Sequence, residues 1–361
     1  MAIGVLGCGG NSTPGAWKEW ERIPVHSAEF FQLWQHEQAR LLLTFGPGGT
    51  TDTTGIFIVG HDQLSAGKGS KAVVFKQPLD RVALLSTTHA SFISALDRAD
   101  AVVGCAYTDR LRDPLVIAMA QAGRFVEIAS AEGVDRERIL MLAPDALFTY
   151  PYGSEGSANL PGQLPMIPIA EYLEKHPLGR AEWIRAFGVL FGKEPLADSL
   201  YAGIVHRYEE TRASVPRSAV APDVFFGSAW KGTWSVPAGN SYMARLITDA
   251  GGHYLFADHK APGNLDLDLE MVLQVGAKAE FWGRILDQQT SVKEADVAGS
   301  DSRVMALPAF TQGGCFYANS ATSDLFGQAG LEPEMVLKDL IDIFHPAQAG
   351  DRKPVYFKPV Q

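Results

Sequence analysis

The longest helical pattern in the chain lies near its middle, over residues 171–213, and it constrains the fold more than any other feature. Apolar residues recur there every three or four positions, as one face of a helix requires. Pro195 suits the first turn of a second helix, because an N–H at that position would have no helical partner. From Pro195 to Ala213 such a helix is about 28 Å long. It is therefore either an ordinary surface helix or a stiff connector between two lobes.

Short apolar runs alternate with helical patterns on both sides of this helix. The predicted strands are residues 82–86, 101–105, 146–150 and 166–170 before it, and 224–228, 280–283 and 304–307 after it. Such alternation favours parallel, doubly wound sheets with helices on both faces. The predicted fold class is α/β, with two doubly wound α/β lobes joined by one long backbone helix.

The N-terminal part of the chain has a different pattern of apolar residues. Short β-branched or apolar runs are separated there by glycine-rich turns, which predicts a small antiparallel sheet ahead of the main fold. The predicted units are a leader and tether at 1–16, a β-rich extension at 17–78, a first lobe at 79–193, the backbone helix at 194–214 and a second lobe at 215–361.

Composition narrows the classes of function. Hydrophobic residues make up 46% and charged residues 20% of the chain, which is typical of a globular protein with a sizeable core. The net charge of −10 argues against nucleic acid as a partner, since phosphate binding needs clustered lysine and arginine. No apolar run reaches the roughly 18 residues of a membrane span.

The three cysteines, Cys8, Cys105 and Cys315, do not have metal-ligand spacing. Cys105 and Cys315 either form one bridge or are two separate buried thiols. Cys8 follows a short apolar stretch and precedes a run containing Gly, Asn and Ser, which resembles the end of a bacterial lipoprotein signal. On that interpretation Cys8 is a lipid anchor. The alternative is a disordered leader with an incidental cysteine.

Local catalytic signatures are missing from the sequence. It contains no G-x-S-x-G elbow, no phosphate-binding loop, no zincin motif and no G-x-G-x-x-G turn after the first predicted strand. The nine histidines are scattered along the chain. His89, which follows the first strand, is either a metal or axial ligand or a helix-start residue bonded to the backbone.

The carboxyl ends of the strands are where doubly wound sheets bind ligands. Most of the predicted strand ends carry an aromatic residue, and several carry a cation. This set favours a flat or bulky ligand with anionic edges, held by π contacts and charge pairing. Alternatively, individual aromatic residues only pack at the lobe edges. The predicted pocket residues are Thr87, Thr88, Tyr107, Tyr152, Trp230, Lys231, Trp234, Trp282 and Arg284.

Four segments occur in a characteristic order along the chain, namely RVALLSTTHASFISALDRADAVVGC, DRERILMLAPDALFTY, WKGTWSVPAGNSYMARLITDAGG and VLKDLIDIFHP. With them the sequence resembles the ABC-transporter substrate-binding proteins that take up ferric siderophores, haem and cobalamin. That family has two α/β lobes joined by a single long backbone helix. The resemblance covers residues 79–359, and the β-rich extension resembles one seen in some members.

The family carries one acidic residue on each lobe that docks onto arginines of the membrane permease. By position these residues correspond to Glu137 and Glu270, each at the start of a predicted helix that precedes a strand. Alternatively, each carboxylate only stabilises its own helix through the helix dipole, by about 0.3–1 kcal/mol.

The resemblance implies a substrate-binding component of an ABC importer. Such a protein captures an iron chelate, haem or a corrinoid in the cleft between the lobes and delivers it to a permease in the inner membrane. No catalytic residue, cofactor or resident metal is expected, and the protein is expected to be a periplasm-facing monomer that contacts the membrane only through a lipid anchor. A metal-dependent enzyme or a sensor on the same scaffold remains an alternative. A single stiff backbone helix also predicts that ligand binding closes the cleft by only a few degrees.

Overall fold

A computed structural model describes residues 19–60, 72–151, 164–216, 220–230, 233–299 and 302–360. It contains an N-terminal sheet, two α/β lobes and a long helix between the lobes. The predicted fold class is therefore confirmed. Within the described part of the chain, no helix is both long and apolar enough to cross a membrane.

The N-terminal sheet has the strand order β1-β2-β3-β4-β5. Its apolar face packs against a helix of the first lobe, where the ring centroids of Phe31 and Trp183 are 4.9 Å apart. The strands pair antiparallel except for β4 and β5, which are parallel. The prediction of an antiparallel sheet is wrong at that edge, because a sequence pattern does not encode strand direction. The strands are β1 (Glu21–Ile23), β2 (Phe31–His36), β3 (Ala39–Phe45), β4 (Thr53–Val59) and β5 (Val73–Phe75).

The first lobe is built on a sheet of order β11-β10-β6-β7-β8-β9, parallel except for the edge strand β9. Asp113 and Asp135 cap α2 and α3 by accepting N–H groups of the first helical turn. The elements are β6 (Val82–Leu84), α1 (Thr88–Ala95), β7 (Val102–Ala106), α2 (Pro114–Gln121), β8 (Val126–Ser130), β9 (Gly133–Val134), α3 (Arg136–Leu142), β10 (Ala146–Thr149), β11 (Met166–Pro168) and α4 (Pro177–Phe191).

The long helix α5 (Glu194–Ala213) follows α4 after a glycine turn. Gly192 has φ of +65°, the left-handed conformation that ends many helices. The two helices pack closely, since an added Cβ on Gly188 would lie 2.5 Å from the Cβ of Ala197. At its other end α5 binds the second lobe, where the Tyr208 hydroxyl donates to Asp249 at 2.8 Å. The helix therefore touches both lobes along its length.

The second lobe has a main sheet of order β15-β12-β17-β18-β19 and a small antiparallel sheet of order β13-β14-β16. In the main sheet only the β18–β19 pair is antiparallel. The predicted strand at 304–307 is wrong, because residues Ser302–Ala306 form a 3₁₀ helix. The elements are β12 (Asp223–Phe226), β13 (Ser228–Trp230), β14 (Thr233–Pro237), α6 (Tyr242–Asp249), β15 (His253–Tyr254), β16 (Asn264–Leu267), α7 (Leu269–Gly276), β17 (Phe281–Leu286), α8 (Glu294–Ala298), α9 (Pro308–Thr311), β18 (Cys315–Asn319), α10 (Pro333–Phe344) and β19 (Phe357–Pro359).

Cys105 and Cys315 are free, buried thiols, one in each lobe. Burial raises the pKa of each to about 12. Both thiols donate to backbone carbonyls, Cys105 to Ala106 and Cys315 to Ala309. Of the two alternatives, separate thiols are therefore confirmed, and neither thiol is a reactive nucleophile.

Candidate ligand-binding cleft between the lobes

A cavity of about 850 Å³ lies between the two lobes. Its volume is in the range of sites for drug-sized ligands. The walls are largely apolar, with polar groups at a few points. First-lobe residues on its surface include Thr88, Phe92, Glu171, Tyr172, Lys175 and Arg180, and second-lobe residues include Phe226, Ser228, Asn240, Tyr242, Asn264 and Phe326.

A buried carboxylate lies at the first-lobe wall of this cleft. Glu171 is only 3% exposed, and its Oε1 accepts a hydrogen bond from the Thr88 hydroxyl at 2.7 Å. Its Oε2 lies 3.8 Å from Nε2 of His89, beyond hydrogen-bond distance. Burial lowers the pKa of His89, and the nearby Glu171 opposes this only in part. The imidazole is therefore neutral at pH 7, and it packs against Phe148 and Phe187.

His89 does not take its predicted role as a helix-start residue bonded to the backbone. It is fully buried, and neither ring nitrogen has a hydrogen-bond partner among the described residues. Across the described residues, no group of three or more His, Cys, Asp or Glu side chains could hold a metal ion.

A half-buried arginine projects into the cleft from α4. Arg180 donates from Nε to the Glu171 carbonyl and from Nη2 to the Tyr172 carbonyl, both at 3.3 Å. Its Cζ lies 4.3 Å from the ring centroid of Tyr242 on the second lobe. Among the described residues, no carboxylate oxygen pairs with this guanidinium within 4.0 Å. The cleft therefore contains a positive charge that a ligand's anionic group can neutralise.

The predicted residues at the first-lobe strand ends lie at different depths. Thr88 lines the cleft, and Thr87 precedes it as the residue before α1. Tyr107 is half-buried at the end of β7 with φ of +51°, and the Arg110 guanidinium lies 5.1 Å from its ring centroid. Tyr107 is not part of the cavity wall.

Two predicted tryptophans lie in the core of the second lobe. Trp234 is 1% and Trp282 is 0% exposed, and the Trp282 ring stacks on Phe225 at 5.4 Å. Their prediction as pocket residues is wrong, because β14 and β17 are covered on the faces that these indoles occupy. Arg284 is also directed away from the cavity, since its Nη1 donates to the carbonyls of Asp296 and Val297 beside α8.

The remaining predicted positions are Tyr152, Lys231 and Cys8, and these lie outside the described residues, as does the side chain of Trp230.

Glu137 and Glu270 are both exposed and both occupy the second position of a helix, α3 and α7 respectively. Each helix is capped by an aspartate two residues upstream. Glu270 also pairs with Arg303 at 3.3 Å. The two lobes thus present matching acidic helix starts.

The sequence prediction missed Arg180, Tyr242 and Glu171 as cleft residues. None of them follows a strand directly. Arg180 and Tyr242 reach the cleft from the first turns of α4 and α6.

Two α/β lobes, a single long helix between them and a ligand-sized cleft at the lobe boundary define a bilobal solute-binding protein with a helical backbone. A family model described as periplasmic binding protein matches residues 82–322, which is two thirds of the chain. The chain belongs to the periplasmic binding protein family of ABC importers. Members of this family are solute-binding transport proteins and not enzymes.

Comparisons with individual proteins agree with this assignment. An uncharacterized lipoprotein of Methanocaldococcus jannaschii is 25% identical over 308 residues, which cover 80% of this chain and 70% of that protein. A periplasmic haem-binding protein from Pseudomonas aeruginosa has a TM-score of 0.62 at 16% identity, covering 78% of this chain and 98% of that one. A periplasmic vitamin B12-binding protein of Vibrio cholerae has a TM-score of 0.55 at 16% identity, covering 76% and 99%. The structural likenesses show the shared fold.

Proposed function

We propose that this protein captures an iron chelate, haem or a corrinoid in the cleft between its lobes and delivers it to an ABC permease. The observation that carries the proposal is the cavity of about 850 Å³ whose walls come from both lobes. A cavity of this size suits a ligand much larger than a bare metal ion. The solved relatives that bind haem and vitamin B12 share the fold and so support this class of ligand.

Arg180 favours the anionic members of this ligand class. Its guanidinium is held by two backbone carbonyls and by the face of Tyr242, so its position is fixed before a ligand arrives. A fixed guanidinium loses little conformational entropy when it binds a carboxylate or a catecholate oxygen. Haem propionates and ferric catecholates carry such groups.

Delivery to a permease is supported by Glu137 and Glu270, the exposed carboxylates at the starts of α3 and α7. One lies on each lobe, so a partner with two basic patches can contact both at once. Contacts of this kind set the orientation and rate of docking more than its affinity.

The related archaeal lipoprotein supports a location at the outer face of the membrane, with Cys8 as the proposed anchor.

The test is a set of titrations followed by intrinsic tryptophan fluorescence. The probes are hemin, cyanocobalamin, a ferric tris-hydroxamate and a ferric tris-catecholate. We expect saturable binding of at least one probe, and no binding of any of them would overturn the proposal. Arg180→Gln should weaken hemin or catecholate binding about tenfold, equivalent to about 1.4 kcal/mol, and leave binding of the neutral ferric tris-hydroxamate unaffected. Arg110→Gln, at an exposed first-lobe arginine outside the cavity wall, is the matched control.

A further inference from the structure

The N-terminal sheet reaches the cleft between the lobes. Phe30, which precedes β2, and Pro47, in the turn between β3 and β4, line the same cavity as Arg180 and Tyr242. The matched family region begins at residue 82, after the last strand of this sheet. Two cleft residues therefore come from a part of the chain that the family assignment does not explain.

Two buried glutamates of the first lobe fix the segment that leads into the sheet. Glu182 accepts N–H groups from His26, Ser27 and Ala28 at 2.6–3.0 Å. Glu174, which itself lines the cleft, accepts those of Glu29 and Phe30 at 2.8 and 3.1 Å. Five consecutive backbone N–H groups thus donate to two buried carboxyl groups, and these contacts fix the segment on the first lobe.

The contact between this segment and the lobe is close as well as polar. An added Cβ on Gly179 would lie 2.7 Å from the Ser27 carbonyl oxygen, so the close approach requires glycine in α4. The Tyr201 hydroxyl of α5 donates to Ser27 Oγ at 3.1 Å, and Arg185 Nη1 donates to the Pro24 carbonyl at 2.6 Å. The sheet is therefore attached both to the first lobe and to the backbone helix.

The turn that carries Pro47 is itself ordered. Gly46 donates to the Asp52 carbonyl at 2.8 Å, and Asp52 donates to the Gly49 carbonyl at 2.9 Å. Gly49 has φ of +63°, a conformation that glycine adopts without strain. Pro47 is exposed within this turn, and its ring fixes its own φ. A rigid apolar residue is thus held at the edge of the cleft.

We infer that Pro47, held in the turn at residues 46–52, forms a third wall of the ligand-binding cleft together with Phe30 and limits the size of the ligand that the cleft accepts. The inference rests on the proposed function. The two lobes form most of the cavity wall, including the charged group of Arg180. Pro47 and Phe30 add apolar surface to one side of it. Because the sheet is fixed to the first lobe, this boundary stays in place when the lobes move.

The test enlarges the side chain at the turn in the full-length protein. Pro47→Trp should weaken binding of the probe that the wild-type protein binds, whether hemin, cyanocobalamin or a ferric chelate, by at least tenfold. Thr50→Trp is the matched control, since Thr50 is exposed in the same turn but does not line the cavity, and its affinity should stay within twofold of wild type. Thermal unfolding of both variants should match that of the wild-type protein, because both positions are exposed.

The possible outcomes separate the inference from the proposed function. If wild type binds a probe and Pro47→Trp binds it equally well, the third wall is rejected while the proposed function stands. An equal loss in both variants also rejects it, since the effect would then not depend on the cavity-facing position. If wild type binds none of the probes, the proposed function fails and the inference fails with it.

Discussion

The guanidinium of Arg180 lies over the ring of Tyr242, with Cζ 4.3 Å from the ring centroid, and the contact joins α4 of the first lobe to α6 of the second. A second contact between the lobes runs from the Ser91 hydroxyl to Asp324 at 3.3 Å. Both contacts lie near the cleft, so they join the two lobes directly at its edge.

The distance between the lobes should change little on ligand binding. The helix α5 packs on α4 and binds the second lobe through Tyr208, and a single continuous helix bends less readily than extended linkers. Spin labels on cysteines introduced at Glu132 and Lys278, both exposed and one on each lobe, allow this distance to be measured. With Cys8 replaced by serine, we expect one distance population before and after ligand addition. Two well-separated populations would contradict a stiff connector.

Removal of the Glu182 carboxylate should strongly destabilise the protein. Glu182 is 0% exposed, accepts three backbone N–H groups and pairs with Arg185 at 3.0 Å. Glu182→Ala leaves these donors without an acceptor, so the free energy of unfolding should fall by about 3–5 kcal/mol in chemical denaturation. Asp198→Ala removes the other, exposed partner of Arg185 and should cost less than about 1 kcal/mol. Equal effects of the two variants would refute the proposed role of Glu182.

Glu174 should make stability depend on pH. Burial raises its pKa from 4.5 to about 7, although hydrogen bonds from Glu29, Trp183 and Phe30 lower it in part. The folded state therefore holds a proton between about pH 4.5 and 7 that the unfolded state has released. The stabilisation from this proton is fully present below pH 4.5 and is lost as the pH rises through 7. Over that window it amounts to about 3 kcal/mol.

Glu174→Gln provides the measurement of this effect, because an amide does not titrate. The difference in free energy of unfolding between wild type and variant should be larger at pH 5 than at pH 8, in favour of the wild type. A difference that stays constant between these two pH values would show that Glu174 titrates normally.

Charge reversal at the two helix starts should separate transport from binding. Glu137→Arg together with Glu270→Arg should reduce uptake in a reconstituted importer at least tenfold, while the affinity of the isolated protein for its ligand stays unchanged. Glu132→Arg together with Asp351→Arg, at one exposed carboxylate of each lobe, makes the same change in net charge and is the control. Unimpaired uptake by the double variant would exclude these carboxylates from docking.

The architecture was predictable from the sequence where local signals are strong. Pro195 and Pro333 lie at the first turns of α5 and α10, because proline suits that position in any context. The strand predicted at 304–307 failed for the opposite reason, since a short apolar run does not distinguish a strand from a 3₁₀ turn.

The cleft was predictable in part. Thr88 follows the strand β6 and lines the cavity, as expected for the carboxyl end of a parallel strand. Trp234 and Trp282 were placed in the cleft for the same reason but lie in the core, because the face that a side chain takes depends on which helices cover the sheet. Arg180 reaches the cleft from a helix, and only tertiary structure reveals that its turn faces the other lobe.

The groups that bind the N-terminal segment come about 150 residues later in the chain, since Glu182 binds His26 across a separation of 156 positions. During synthesis from the N-terminus, the strands β1 to β4 are therefore complete long before their acceptors exist. Contacts between residues so distant in sequence form slowly, because a long loop must close first. Completion of the cleft thus follows the folding of α4, and α4 sets the order in which the two parts of the binding site are assembled.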